Sequence, residues 1–246
     1  MAGLDRFVEV LRLFNQKKPD WTIQEIADAT DVPASTVYRT VRELVGQGFL
    51  DPSREAHYRL GAVFIEFDRR LRISDPLIRE GESMLGDVLS AAQVPCVAVI
   101  ARLYGDQVIC VADSRVPGTT IETSYERGRP MPLLRGATSK TILAQLTRAR
   151  LRKVLKNAGH DSPRDDIVSA LASIRRQGYA ITRSEVDMGL VGISVPIFSP
   201  ESAINASMSI IIRAADSNES VERRLLMIIS PAADLLVRKL QSNPNT

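Results

Sequence analysis

Apolar residues in the first fifty positions recur with the spacing of short amphipathic helices. A stripe at i, i+3, i+4 and i+7 predicts a first helix and consists of Leu4, Phe7, Val8, Leu11 and Phe14. The sequence from Thr22 to Glu25 is a capping box, which predicts a second helix at about residues 23–30. Pro33 favours the first turn of a third helix, which is expected to end at residues 46–48.

Two short strand-like runs follow the third helix, at residues 49–51 and 57–60. They flank the turn-rich segment 52–56, and this arrangement predicts a β-hairpin. Three short helices followed by a hairpin, with a tight turn between the second and third helices, form a winged helix-turn-helix. We therefore assign residues 1–61 to such a domain.

A helical pattern resumes after residue 60 and continues until Ser74-Asp75-Pro76 interrupts it. We interpret residues 62–80 as a linker helix region. Its apolar stripe consists of Leu60, Phe64, Phe67 and Leu71. A lone linker helix has too little chain of its own to cover this stripe, so we expect the stripe to lie in a contact between two copies of the chain.

Residues 81–246 change in character, because short apolar strands alternate with amphipathic stretches. Strands are expected near residues 94–101, 107–112, 119–124, 179–183, 192–198 and 203–212, and helices near 138–146, 148–157, 165–177 and 221–240. Consecutive strands joined by short turns favour a largely antiparallel sheet flanked by helices. The predicted fold class of the chain is therefore α+β.

Composition agrees with two globular domains, since the chain has 246 residues, 44% of them hydrophobic and 25% charged. The longest nearly apolar run, residues 94–101, is too short to cross a bilayer, and the first residues do not resemble a signal peptide. We expect a cytoplasmic protein with no membrane partner. The two cysteines, Cys96 and Cys110, exclude a disulfide framework and are expected to be buried.

Candidate catalytic chemistry is absent from the sequence. Histidine is scarce, and no nucleophile elbow, phosphate-binding loop or zinc motif is present. We therefore expect no enzymatic activity, no cofactor and no bound metal.

Candidate DNA contacts depend on where charge clusters, because the net charge of the chain is only +3 and residues 1–62 hold slightly more acidic than basic side chains. On the third helix we expect the outer faces to present Ser35, Thr36, Tyr38, Arg39, Thr40 and Arg42. Arg39 suits a bidentate guanine contact, whereas the hydroxyl groups suit phosphates or base edges. The alternative interpretation is a solvated helix face.

Further candidates flank this helix. Thr22 is first a helix cap and second a phosphate contact. On the hairpin, Arg54, His57 and Arg59 are candidates for the DNA backbone or minor groove, although a wing tip can also remain free of DNA.

Four segments, taken together, resemble the IclR family of bacterial transcription regulators over nearly the whole chain. They are TIQEIADATDVPASTVYRTVRELVGQGFL, HYRLG, RGRPMPLLRGATSKTILAQL and RRQGYAITRSEVDMGLVGISVPIF, in this order. The resemblance implies a winged helix-turn-helix, a linker helix and a GAF-like effector domain, assembled as a homodimer or a dimer of dimers.

The chain departs from the family pattern at several positions. The family's frequent Asp after Gly-Tyr-Ala is Thr182 here, residues 134–141 lack the family's histidine, and the usual glycine turn between the last two strands becomes residues 199–202. These changes leave the fold assignment intact and bear on the chemistry of the effector pocket.

The candidate effector site lies where residues 135–140 lead into a helix. Backbone amides and two hydroxyl groups gather at the positive end of the helix dipole, at Gly136, Ala137, Thr138 and Ser139. Such a site suits a carboxylate, and the alternative is an ordinary capped helix in which Lys140 forms a structural ion pair. The family resemblance implies that the opposite wall consists of Thr182, Gly192, Ser207 and Ser209.

Together these patterns predict a DNA-binding transcription regulator. Its partners are expected to be a double-stranded DNA operator and a small organic acid that controls DNA affinity. The rival hypothesis is a small-molecule-binding or enzymatic GAF-like protein that uses its winged helix for protein contact.

Overall fold

The computed structural model describes residues 3–159, 165–201 and 203–242. The chain forms two compact units, Met1–Ile73 and Ser74–Thr246. The predicted linker region, residues 62–80, therefore falls partly in each unit. Among the helices of these described residues, none is long and apolar enough for a bilayer span.

The first unit combines four helices with a small antiparallel sheet of strand order β1-β3-β2. In chain order its elements are α1 (Gly3–Leu13), β1 (Trp21–Thr22), α2 (Ile23–Thr30), α3 (Ala34–Gly46), β2 (Leu50–Pro52), β3 (His57–Leu60) and α4 (Val63–Ser74). The predicted hairpin is confirmed as β2 and β3. The two-residue strand β1 is an addition that no sequence pattern indicated.

Local signals explain where these helices begin. Thr22 is the N-cap of α2, and both hydrogen bonds of the predicted capping box are present. Pro33 precedes the first residue of α3. Helices α1, α2 and α3 and strand β2 pack around one core, whose buried members include Val10, Phe14, Ile26, Val37, Val41, Leu44 and Leu50.

The second unit is built on a six-stranded antiparallel sheet of order β6-β5-β4-β9-β8-β7. Its strands are β4 (Val97–Tyr104), β5 (Gln107–Arg115), β6 (Pro130–Met131), β7 (Ala180–Arg183), β8 (Leu190–Ser199) and β9 (Ile204–Arg213). Its helices are α5 (Pro76–Ala92), α6 (Ala137–Ala144), α7 (Arg148–Asn157), α8 (Asp165–Gln177) and α9 (Glu219–Ser242). The predicted α+β fold class is confirmed.

Helices cover both faces of this sheet. Alternate residues of a strand point to opposite sides, and both sides of the central strand β4 are apolar. Ala98 and Ile100 of β4 join the core cluster that α5 and α9 complete. Val97 and Val99 belong instead to a cluster with Ile142 of α6. Both cysteines are free and buried, as expected, Cys96 just before β4 and Cys110 within β5. Burial raises the pKa of Cys96 to about 11 and, as the largest effect, that of Cys110 to about 12.

One predicted strand is wrong, because residues 119–124 form no strand. The Thr119 amide closes a turn on the Val116 carbonyl, at 3.0 Å. Beyond it, Thr123 and Ser124 donate hydrogen bonds to the Asp187 carboxylate instead of entering a ladder. The strand in this part of the chain is the two-residue β6.

Candidate DNA interface and effector site

Helix α3 presents a polar and basic face to solvent. Ser35, Tyr38, Arg39 and Arg42 are exposed, Tyr38 to 52%, and Thr36 is half-buried. Within the described residues, neither arginine forms an ion pair or a side-chain hydrogen bond. The opposite face of α3 is held by its buried core residues, so these polar side chains are free to contact a partner.

Thr40 does not lie on this outer face, and its predicted position is wrong. Its side chain is only 4% exposed. The hydroxyl donates to the Thr36 carbonyl at 3.1 Å, a bond within the helix itself. The apolar stripe of α3 is therefore wider than Val37, Val41 and Leu44, and Thr40 leaves the set of candidate DNA contacts.

Thr22 is committed to capping α2. Its Oγ1 accepts the Glu25 amide at 3.2 Å and donates to Glu25 Oε2 at 3.1 Å. Glu25 also pairs with Lys18 at 2.7 Å. The Lys18 hydrogen bond, followed by that from the Thr22 backbone, lowers the pKa of Glu25 to about 2.

The hairpin carries its candidate side chains beside this cap. Thr22 of β1 pairs with His57 of β3. Arg54 and Arg59 are exposed, whereas His57 is half-buried, with Nδ1 3.1 Å from the carbonyl oxygens of Arg54 and Glu55. The wing is therefore anchored to the start of α2, and its two arginines project into solvent.

All eight candidate effector residues lie around the first turn of α6. The Ala137 amide donates to Thr182 Oγ1 at 2.9 Å, and a methyl group on Gly192 would lie 3.7 Å from that same oxygen. Thr138 Oγ1 lies 3.0 Å from Ser209 Oγ, and Ser207 donates to the Thr138 carbonyl at 3.3 Å. Strands β7, β8 and β9 thus bring distant residues to one helix start.

Ser139 differs from its neighbours in this turn. It is 1% exposed, and its Oγ has no hydrogen-bond partner among the described residues. Buried hydroxyl groups are usually paired. An unpaired one beside a helix start leaves a polar group available to a ligand.

Two buried residues extend this site beyond the sequence prediction. Ser194 accepts a hydrogen bond from Ser209 at 2.9 Å. Tyr125 is 4% exposed, hydrogen-bonds with Thr138, and has its pKa raised to about 12, chiefly by burial. Ser194 lies two residues after Gly192 on the same face of β8, so the alternation of side chains along a strand could have identified it from the sequence. Tyr125 had no such signal, because it lies just beyond residues 119–124, which the sequence predicted to be a strand.

The start of α6 already binds a carboxylate of the chain. The Gly136 amide donates to Glu185 Oε2 at 2.8 Å. Lys140 Nζ lies 2.7 Å from both oxygens of the same carboxylate. Lys140 thus forms the structural ion pair that was the alternative interpretation of this segment. The same contacts show that this helix start accommodates an anion.

Asp187 fixes the segment that carries Tyr125. Its carboxylate accepts hydrogen bonds from Thr123 Oγ1 at 2.8 Å and from the Ser124 amide and hydroxyl at 2.9 and 2.6 Å. Burial disfavours the ionised form, but these bonds outweigh burial and hold the pKa of Asp187 below its usual range.

Little space remains between these groups. Tyr125, Thr182, Glu185 and Gly192 line a cavity of about 10 Å³, which is close to the minimum for one water molecule. A small organic ligand at this position therefore requires side chains to move.

Two family models match the chain. Residues 88–238 match the model described as bacterial transcriptional regulator IclR C-terminal, and residues 3–53 match the IclR helix-turn-helix domain. The HTH-type transcriptional regulator KipR of Bacillus subtilis is 29% identical over 210 residues, which cover 82% of each protein.

Solved structures agree with the fold. An IclR transcriptional regulator from Alicyclobacillus acidocaldarius aligns with a TM-score of 0.80 and 22% identity, covering 97% of this chain and 98% of that one. An IclR homologue from Microbacterium hydrocarbonoxydans, complexed with 4-hydroxybenzoate, aligns with a TM-score of 0.76 and 21% identity, covering 98% and 100%.

Proposed function

Because the chain belongs to the IclR family of bacterial transcriptional regulators, we propose that it binds a specific DNA operator and that a small organic acid controls its affinity. The main observation in support of DNA binding is the exposed polar face of α3. It offers Ser35, Tyr38, Arg39 and Arg42 on a helix whose other side is locked in a core.

Helix α3 enters the major groove in this proposal. Arg39 reads guanine through its guanidinium, while Ser35, Thr36 and Tyr38 contact phosphates or base edges. Arg54 and Arg59 approach the DNA backbone from the wing. The protein acts in the cytoplasm, where the operator DNA lies.

The effector site in this proposal is the start of α6. The binding of the Glu185 carboxylate there supports an acidic ligand. The 4-hydroxybenzoate bound by the structural relative is also an organic acid. A buried carboxylate must recover the hydrogen bonds it had in water, and amides at a helix start supply several at once.

The regulator acts as a homodimer or a dimer of dimers. In the first unit, the predicted linker stripe is exposed to 43% at Leu60, which ends β3, and to 41% at Phe67 and 52% at Leu71 of α4. An apolar groove of about 510 Å³ lies in the same unit, lined in part by Leu4, Phe7, Val8, Leu11 and Phe49. Apolar surface of this extent indicates a partner, and paired half-sites in DNA require paired readers.

The test is gel retardation of the DNA upstream of the chain's own gene. We expect retardation at low salt, where phosphate contacts are strongest, and a changed affinity when an effective acid is added. Absence of any retardation at low salt contradicts the proposal. Product formation from a small molecule would support the rival, an enzymatic GAF-like protein.

A further inference from the structure

We propose that Glu185 is a specificity-determining residue of the effector site, because an incoming carboxylate must displace it from the start of α6. This inference rests on the proposed function, since it takes the effector to be an acid bound at this helix start. In addition, we infer that the Glu185 carboxylate of the chain itself competes with the effector for this position.

The contacts of Glu185 are those that a free acid would use. One oxygen accepts the Gly136 amide at 2.8 Å, and both lie 2.7 Å from Lys140 Nζ. Together they combine the positive end of a helix dipole with a full positive charge. The side chains of Lys140 and Glu185 are 25% and 31% exposed, so solvent reaches the pair without opening the core.

Two carboxylates cannot share these donors without repulsion. Glu185 is tethered to the site, so it competes at a high effective concentration. A simple anion gains only the contacts that Glu185 gives up. The site therefore selects acids whose remaining atoms make contacts of their own, and the unpaired Ser139 hydroxyl is a nearby polar group for such contacts.

The turn that carries Glu185 is also hydrogen-bonded to the segment that carries Tyr125, whose ring lines the cavity. Glu185 and Asp187 lie in the same turn, between the end of β7 and the start of β8. Asp187 holds Thr123 and Ser124, which directly precede Tyr125. A Cβ at Gly136 would lie 2.7 Å from the Tyr125 hydroxyl oxygen, so this ring closes directly over the helix start. Movement of the turn therefore makes room for the ligand.

The test is isothermal titration of the full chain with acetate and with 4-hydroxybenzoate as probes. We expect Glu185→Gln to bind acetate about tenfold more tightly than wild type, because the site is then competent without displacement of a charge. Lys140→Gln is expected to bind it about tenfold more weakly, because the cation is gone. A merely structural ion pair predicts a shift in the same direction for both variants, since each breaks the same contact.

The control is Asp216→Asn, which breaks an ion pair with Arg213 in the same unit and should leave both affinities unchanged. If Glu185→Gln fails to fold in a thermal melt, Glu185→Asp replaces it, and its shorter carboxylate should also allow tighter acetate binding. Unchanged or weaker acetate binding in the folded Glu185 variant overturns the inference, as does acetate binding to none of the proteins. Gel retardation of upstream DNA, measured in parallel, reports on the proposed function separately.

Discussion

At the level of single residues, the proposed function places DNA specificity on the exposed side of α3. We predict that Arg39→Ala weakens binding to the operator by about 1–3 kcal/mol, the usual worth of a bidentate base contact. Folding should be unaffected, because Val37, Val41 and Leu44 carry the inner face. Fluorescence anisotropy with labelled operator measures the change.

The matched control for this prediction is Arg152→Ala, which removes an exposed arginine from α7 in the other unit. It should leave operator affinity nearly unchanged. Equal affinities for wild type and Arg39→Ala would remove Arg39 as a base reader.

The Glu25 cap predicts an acid-sensitive DNA-binding unit. The folded-state pKa of about 2 lies below the ordinary value of 4.5, so the stabilisation is fully present above pH 4.5 and is lost as the pH falls toward 2. We expect wild type to lose more stability than Glu25→Gln between pH 6 and pH 3. Urea unfolding followed by the fluorescence of Trp21, the single tryptophan, measures this, and identical pH dependence in the two proteins contradicts it.

Residue predictions succeeded where the chemistry is local. The cap joins Thr22 and Glu25, which are three positions apart, so sequence alone identifies it. The contact between Gly136 and Glu185 joins positions 49 apart, and it exists only because β7 and β8 return beside α6. Thr40 was misplaced because a threonine can bury its methyl group while bonding its hydroxyl within the helix.

Among the secondary-structure elements, α4 carries apolar side chains that remain exposed. The Phe64 and Phe67 rings pack on Phe49 at centroid distances of 5.6 and 6.2 Å, so part of the predicted stripe is internal. Both rings nevertheless remain 38% and 41% exposed. We therefore retain a contact between two copies of the chain as the prediction for this stripe.

We predict that Phe67→Glu and Leu71→Glu each shift the protein from dimer to monomer in sedimentation velocity, because a buried carboxylate in an apolar contact is costly. Met188→Glu is the matched control, since Met188 is 86% exposed in the other unit. A stable dimer in both α4 variants would assign the stripe to internal packing.

The bounds of α2 followed from its capping box, and sustained apolar periodicity gave those of α9 to within two residues at each end. Residues 119–124 were mistaken for a strand because their β-forming side chains resemble one locally. Their backbone is instead fixed by the Asp187 carboxylate, a contact that depends on the fold of residues far along the chain. Strand β1 has two residues and therefore no periodicity to detect.

For the whole molecule, the proposed function links the affinity for the effector to the affinity for DNA. We predict that a saturating acid changes operator affinity by a factor equivalent to about 1–3 kcal/mol, and that operator DNA changes acid affinity by the same factor. Titrations in both orders measure this reciprocity. An acid that binds the chain but leaves operator affinity unchanged contradicts allosteric control.

Footprinting of the DNA upstream of the chain's gene determines whether the protein binds DNA as a pair of winged helix-turn-helix domains. We predict two protected half-sites whose centres are separated by about one helical turn or a multiple of it. Protection should weaken steeply as salt is raised, and Arg39→Ala should require more protein for the same protection. A uniformly cleaved fragment at low salt, with folded protein in excess, would contradict specific DNA binding by this protein.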